Sequence, residues 1–119
     1  MAKVGRWITD PKVGVYCTTT LDSGEKIIVS HDKAELRGGS VTIERLKLFG
    51  FSSDRLLTCD LDREPGRSIF RFLIRDAEEG SRDASPLGAF VNYLKTCRSA
   101  GEVVSRCAAL LASQGTTER

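Results

Sequence analysis

Val13-Gly14-Val15-Tyr16-Cys17-Thr18-Thr19-Thr20, then Leu21-Asp22-Ser23-Gly24, then Lys26-Ile27-Ile28-Val29: this stretch sets the fold class. Val13, Val15, Cys17 and Thr19 fall on one side of an extended chain. Gly14, Tyr16, Thr18 and Thr20 fall on the other. A period of two is that of a half-buried strand. Leu21 to Gly24 has turn composition, and the apolar run after it reads as a second strand. The two form an antiparallel hairpin.

Toward the C-terminus, Arg37-Gly38-Gly39-Ser40 is the next turn, and Val41-Thr42-Ile43 resumes the alternation. Parity slips at Glu44-Arg45, because the next apolar residues are Leu46 and Leu48. That implies a bulge, or one strand ending and another beginning. Phe49-Gly50-Phe51 reads as a turn-like break. Leu57, Cys59 and Leu61 alternate on a further strand, and Glu64-Pro65-Gly66-Arg67 has the composition of a hairpin turn. Ser68 to Arg75 reads as the strongest strand of all. Phe70, Phe72 and Ile74 point one way; Ile69, Arg71, Leu73 and Arg75 point the other.

The character then changes. After a charged segment at 76–85, expected to be a mobile loop, Ser85-Pro86 has the form of an N-cap with proline at the first helical position. Leu87, Phe90, Val91 and Leu94 recur at i, i+3, i+4 and i+7, the signature of an amphipathic helix. The same face continues through Cys97, Gly101, Val104, Ala108 and Leu111. Ser99-Ala100-Gly101-Glu102 matches a capping box. One bent or continuous helix and two helices are both open, and the continuous apolar face tips the reading to the first. Residues 1–11 form a lead-in whose Trp7 is expected to pack back onto the domain, and 113–119 a frayed tail.

Strands first and helix last favour an α+β domain over a parallel α/β fold. Short turns favour antiparallel pairing. The expectation is one domain over residues 1–119. It is a curved antiparallel sheet or partial barrel of five to seven strands, capped by a C-terminal helix. Its order of elements is similar to pleckstrin-homology-like (PH-like) folds, an analogy of layout alone.

Composition agrees with a globular domain: 40% hydrophobic and 29% charged residues over 119 positions. The net charge of +2 comes from cations and acids interleaved along the chain, which selects no polyanionic partner. No apolar run could span a bilayer. The N-terminus lacks a signal core, Ala2 breaks the myristoylation pattern, and the C-terminus is no lipidation box. The expectation is a soluble, intracellular protein, cytoplasmic or nuclear. Cys17, Cys59, Cys97 and Cys107 sit singly in apolar patterns, as small buried hydrophobes do, and a reducing compartment is the simpler reading. A Cys17–Cys59 disulfide is the rival if their strands are neighbours.

Catalytic signals are weak. His31, the single histidine, reads as a solvated turn residue, and no spacing pairs it with a nucleophile. One histidine and scattered cysteines make no structural zinc set. Asp60-Leu61-Asp62 puts two carboxylates on one strand face, read as the wet side of a hairpin. Gly38-Gly39 lacks the lysine and helix of a phosphate loop and reads as turn geometry. No enzyme, metal or cofactor is expected.

Binding is the better lead. Two phenylalanines in a turn, Phe49 and Phe51, would each gain about 1.5–3 kcal/mol from burial. They therefore fold inward or form an apolar tip. Together with Ile69, Arg71, Leu73 and Arg75 they are the candidate partner-binding residues. The expected function is a non-catalytic protein-interaction module, an adaptor or small subunit of a larger assembly. A phospholipid- or phosphate-binding module using Lys12, Lys26 and Arg37 is the first alternative. Nucleic-acid binding through Arg67, Arg71 and Arg75 is the second, and a small enzyme ranks last.

Overall fold

A computed structural model describes residues 3–12, 14–32, 39–47, 52–77 and 86–116. Side chains are described to Leu73 in the first helix, from Leu87 in the second and to Ala112 in the third. The strands are β1 (Lys3–Val4), β2 (Ile8–Asp10), β3 (Gly14–Thr20), β4 (Lys26–His31), β5 (Ser40–Leu46) and β6 (Ser53–Asp60). Three helices follow: α1 (Gly66–Ala77), α2 (Pro86–Leu94) and α3 (Ala100–Thr116). The chain is α+β, with an open, curved, wholly antiparallel sheet. Its order is β1-β3-β4-β5-β6, with β2 also on β3 beyond β1.

The alternation in the strands becomes a two-faced sheet. Cys17, Thr19, Ile27, Val29, Val41, Ile43, Leu57 and Cys59 are buried on the inner face, where the helices pack. The hairpin forms as read, with Cys17 opposite Val29 and Thr20 opposite Lys26. The parity slip is a bulge within one continuous β5–β6 ladder. Ile43 pairs with Leu57 but Glu44 with Arg55, so Leu56 is the extra residue. β1 and β2 come from the stretch read as a lead-in, and Trp7 between them stays 42% exposed rather than packing back.

Ser68–Arg75 is not a strand. It lies within α1, where Ile69 and Leu73 are 0% and 2% exposed. A spacing of four puts residues on one side of either a strand or a helix, so Ile69 and Leu73 fit both periods. The β-branched and aromatic content of Ile69-Phe70-Arg71-Phe72 then favours the strand by propensity, and tertiary context overrides it. Local ties start the helix. Glu64 Oε1 accepts from the Ser68 N–H at 3.0 Å and from its hydroxyl at 2.7 Å, and Ile69 N–H donates to the Pro65 carbonyl at 3.0 Å. Gly66 is buried against the Asp60 backbone, where any β-carbon would collide with the carbonyl, so the helix start sits close under the end of β6.

The last segment is two helices, not one. Ser99 Oγ accepts from Glu102 N–H at 3.4 Å, and Glu102 Oε2 accepts from Arg98 N–H at 3.1 Å, so the box caps α3. The break rephases the apolar stripe. Buried positions on α3 are Ala100, Val103, Cys107 and Leu110, one residue out of step with the continuous-helix face. One residue is about 100° of rotation. Val104 and Leu111 are consequently 48% and 40% exposed.

A clasp joins sheet to helices across 75 residues. Glu25 Oε1, in the β3–β4 turn, accepts from Ala100 N–H at 3.0 Å and from the Ser23 hydroxyl at 2.8 Å. Ser23 N–H donates to the Arg98 carbonyl at 2.9 Å. The Ala100 amide, with the Ser23 hydroxyl, holds the Glu25 carboxyl below its ordinary range. The hairpin turn therefore serves as part of the N-cap of α3.

Candidate functional site

The described helices pack on one face of the sheet and none of them covers the other. Register places four cross-strand rows on this outer face. Thr20 and Lys26 stand opposite each other at one end. Thr18, Ile28, Glu44 and Arg55 form the next row. Tyr16, Ser30, Thr42 and Thr58 form the third, with Ile8 beside Tyr16. Ser40 and Asp60 close the far end, where Asp32 N–H donates to the Ser40 carbonyl. The two middle rows hold hydroxyls, Tyr16, Ile28 and Ile8, with Glu44 and Arg55 on β5 and β6, and most of these side chains are half-buried.

Charge separates along the strands. One end carries Lys3 (opposite Thr20), Lys26 and Arg55, against the single acid Glu44. Among the described residues none of these three cations has an ion pair. The other end carries Asp10 (opposite Gly14), Asp32 and Asp60. Backbone amides fix all three carboxylates: Lys12 N–H on Asp10, Ser40 N–H on Asp32 and Asp62 N–H on Asp60, each at 2.8–2.9 Å. Arg63 stands 3.9 Å from Asp60 and offsets that end in part.

The inner face is dry. All four cysteines are free and buried. Burial pushes the Cys59 thiol up to about 11 and Cys107 up to about 12, and it also raises Cys17 and Cys97. Thiols so held are poor nucleophiles. A Cys17–Cys59 disulfide is excluded by topology. β4 and β5 lie between their strands, a separation of roughly 14 Å against a limit near 7 Å. His31 is 3% exposed between Val15 and Val41, not solvated in a turn. Among the described residues no group of three or more His, Cys, Asp or Glu side chains could hold a metal.

A second feature is a cleft of about 440 Å³ lined by Leu73, Ala89, Asn92, Tyr93, Lys95, Thr96 and Arg106. Arg106 Nη1 donates to the Tyr93 carbonyl at 2.9 Å and to the Thr96 hydroxyl, and its guanidinium lies 5.8 Å from the centre of the Tyr93 ring. Arg106 thus caps the C-terminal end of α2.

Of the expected partner-binding residues, Ile69 and Leu73 face the core and contribute packing. Arg71 is exposed on α1, and Arg75 falls in the same helix. Phe49, Phe51 and Arg37 lie outside the described residues. Of the residues in the phosphate set, Lys12 precedes the Gly14 end of β3 and Lys26 stands at the Thr20 end of the β3–β4 ladder, so these two stand apart. Sequence reasoning did not single out the outer face, though its signal was there. Tyr16, Thr18 and Thr20 alternate with the buried row, whereas the charges at the two ends come together only through strand pairing.

Comparison with known proteins returns no matching family, curated protein or solved structure. No helix among the described residues is long and apolar enough to cross a membrane.

Proposed function

We propose that the chain is a non-catalytic protein-interaction module, an adaptor-like domain or small subunit of a larger assembly, that engages its partner through the outer sheet face. One observation carries this reading. The described helices cover one face of a six-stranded sheet, and the other face presents Tyr16, Ile28 and a set of hydroxyls at its centre, with Glu44 the one charged residue in the two middle rows of β3, β4 and β5. Charge depletion at the centre with charges at the rim is the composition of a protein interface. The buried, protonated thiols support the non-catalytic reading and an intracellular, reducing setting.

The test is cross-linking and capture from the native cell with three folded forms of the chain. The wild type should retain a stoichiometric partner. Tyr16→Glu/Ile28→Arg should lose it. Val104→Glu/Leu111→Glu, on exposed α3 positions, should keep it. Retention of the same partner by the outer-face variant would rule the reading out.

A further inference from the structure

Resting on that reading, we propose that the partner on the outer face is a second copy of this chain, turned end for end about a two-fold axis. The placement of charge on the face selects this occupant. Let the axis run across the strands, midway between the Thr18–Ile28–Glu44–Arg55 row and the Tyr16–Ser30–Thr42–Thr58 row. Each strand then crosses its own copy in the opposite direction, with the two sheets about 10 Å apart, as in sheet-on-sheet packing.

Every cation column of the face has its carboxylate in the same column, on the other side of that axis. Lys26 begins β4 and Asp32 follows its end, so Lys26 meets the second copy's Asp32. Arg55 and Asp60 both belong to β6, so Arg55 reaches toward the second copy's Asp60. Lys3 and Asp10 both lie in the column beside β3, opposite Thr20 and Gly14. Lys3 therefore meets the second copy's Asp10. Symmetry repeats each contact, because an isologous interface uses every pair twice. A face with one sign of charge would repel its own copy; this one is complementary to itself.

The centre fits the same arrangement. Ile28 comes to lie over the second copy's Ser30, Thr18 over its Tyr16 and Glu44 over its Thr42, so Glu44 is the one charge placed between the middle strands. Glu44, the one acid at the cationic end, already accepts from the Ser53 hydroxyl within its own chain. The footprint is adequate. Five strand columns at about 4.8 Å by seven residues at about 3.3 Å give roughly 550 Å² per copy, or about 1,100 Å² in all, just above what a specific interface needs.

Light scattering on a sizing column, run from 5 to 200 µM and at low and high salt, reads the outcome (concentrations of about this range suit a Kd in the micromolar decade). The wild-type chain should dimerise, and less strongly at high salt. Lys26→Asp/Arg55→Asp should raise the dimer Kd at least about tenfold, since four attractive contacts become repulsive. Asp32→Lys/Asp60→Lys should do the same. Mixing the two variants should restore a dimer containing one of each, because each reversed end then meets its complement. Circular dichroism confirms that each variant is folded. Because Asp32 and Asp60 accept backbone hydrogen bonds, Asp32→Asn/Asp60→Asn is the fallback, with a milder loss expected. A wild-type chain that stays monomeric at 200 µM overturns the proposal, as does a folded variant pair that fails to associate on mixing. Either result leaves the interaction reading to be decided by the capture experiment with a foreign partner.

Discussion

Ile27 and Ile28 are the same residue at adjacent positions of β4, and they do different work. Ile27 points into the core between Thr19 and Arg45 of the neighbouring strands and is fully buried. Ile28 points the other way, half-buried between Thr18 and Glu44. The same division runs across the sheet: Cys17 against Thr18, Val29 against Ser30, Val41 against Thr42, Cys59 against Thr58. In these four pairs the inward residue is valine or cysteine and the outward one carries a hydroxyl. Stability resides on one face. The other face is free to be selected for recognition, because substitutions there leave the core untouched.

The largest effect should follow from breaking the inner face. Ile27→Ala removes a fully buried side chain between packed strands and helices, and should cost about 2–5 kcal/mol. A lowered urea midpoint with an unchanged slope would register it. A cost below about 1 kcal/mol would mean that the helices do not close over this face as described.

Alkali probes the same face without mutation. Cys59 and Cys107 carry thiols raised from the ordinary 9.0 to about 11 and about 12. Below pH 9 both folded and unfolded chains keep these protons, and the stabilisation is complete. Between pH 9 and the folded values only the unfolded chain releases them. Each thiol then lowers stability by up to about 1.4 kcal/mol per pH unit. Thermal unfolding from pH 8 to pH 10.5 should show a midpoint falling above pH 9, and Cys107→Ala should flatten that fall while lowering stability throughout.

The two faces also explain how much was legible in advance. Period-two alternation is a strong signal wherever one face is dry, so β3, β4, β5 and β6 were readable, and the parity slip at Glu44-Arg45 left a bulge as one of two readings. Ser68–Arg75 was not. Its apolar residues repeat at four, which strand and helix share, and the ties that decide it, from Glu64 to Ser68 and from Gly66 under Asp60, are local geometry. The exposed side of α3 was misplaced by one residue for a similar reason: an apolar pattern carried across a break keeps its letters and loses its phase. The outer face escaped notice because its charge pattern exists only in register. Lys3, Lys26 and Arg55 are far apart in sequence, and strand pairing brings them to one end.

The clasp between the faces' supports should give a smaller effect. Glu25→Ala leaves the Ala100 amide without this acceptor and loosens the β3–β4 turn from the start of α3. The expected loss is about 1 kcal/mol, the usual worth of a capping interaction. Glu25 is held below its ordinary carboxyl range, so its contribution is complete above that range and fades as pH falls through its depressed folded value. Wild type and Glu25→Ala should therefore converge in stability in acid, which paired melts at pH 7 and pH 3 would show.

The smallest effect belongs to Ile28, and it sharpens the contrast with its neighbour. In dilute solution Ile28→Ala should cost under about 1 kcal/mol, since the residue packs beside a hydroxyl and a carboxylate on an open face. If the outer face closes on a second copy, that cost must grow with protein concentration, because a dimer that binds only folded chains adds its association energy to apparent stability. Melting wild type and Ile28→Ala at 2 and 200 µM separates the two contributions. The wild-type midpoint should rise with concentration and the variant's should rise less, whereas Ile27→Ala should lower the midpoint heavily at both. Parallel concentration dependence in wild type and Ile28→Ala would place any dimer contact elsewhere on the molecule and leave the outer face a solvated surface.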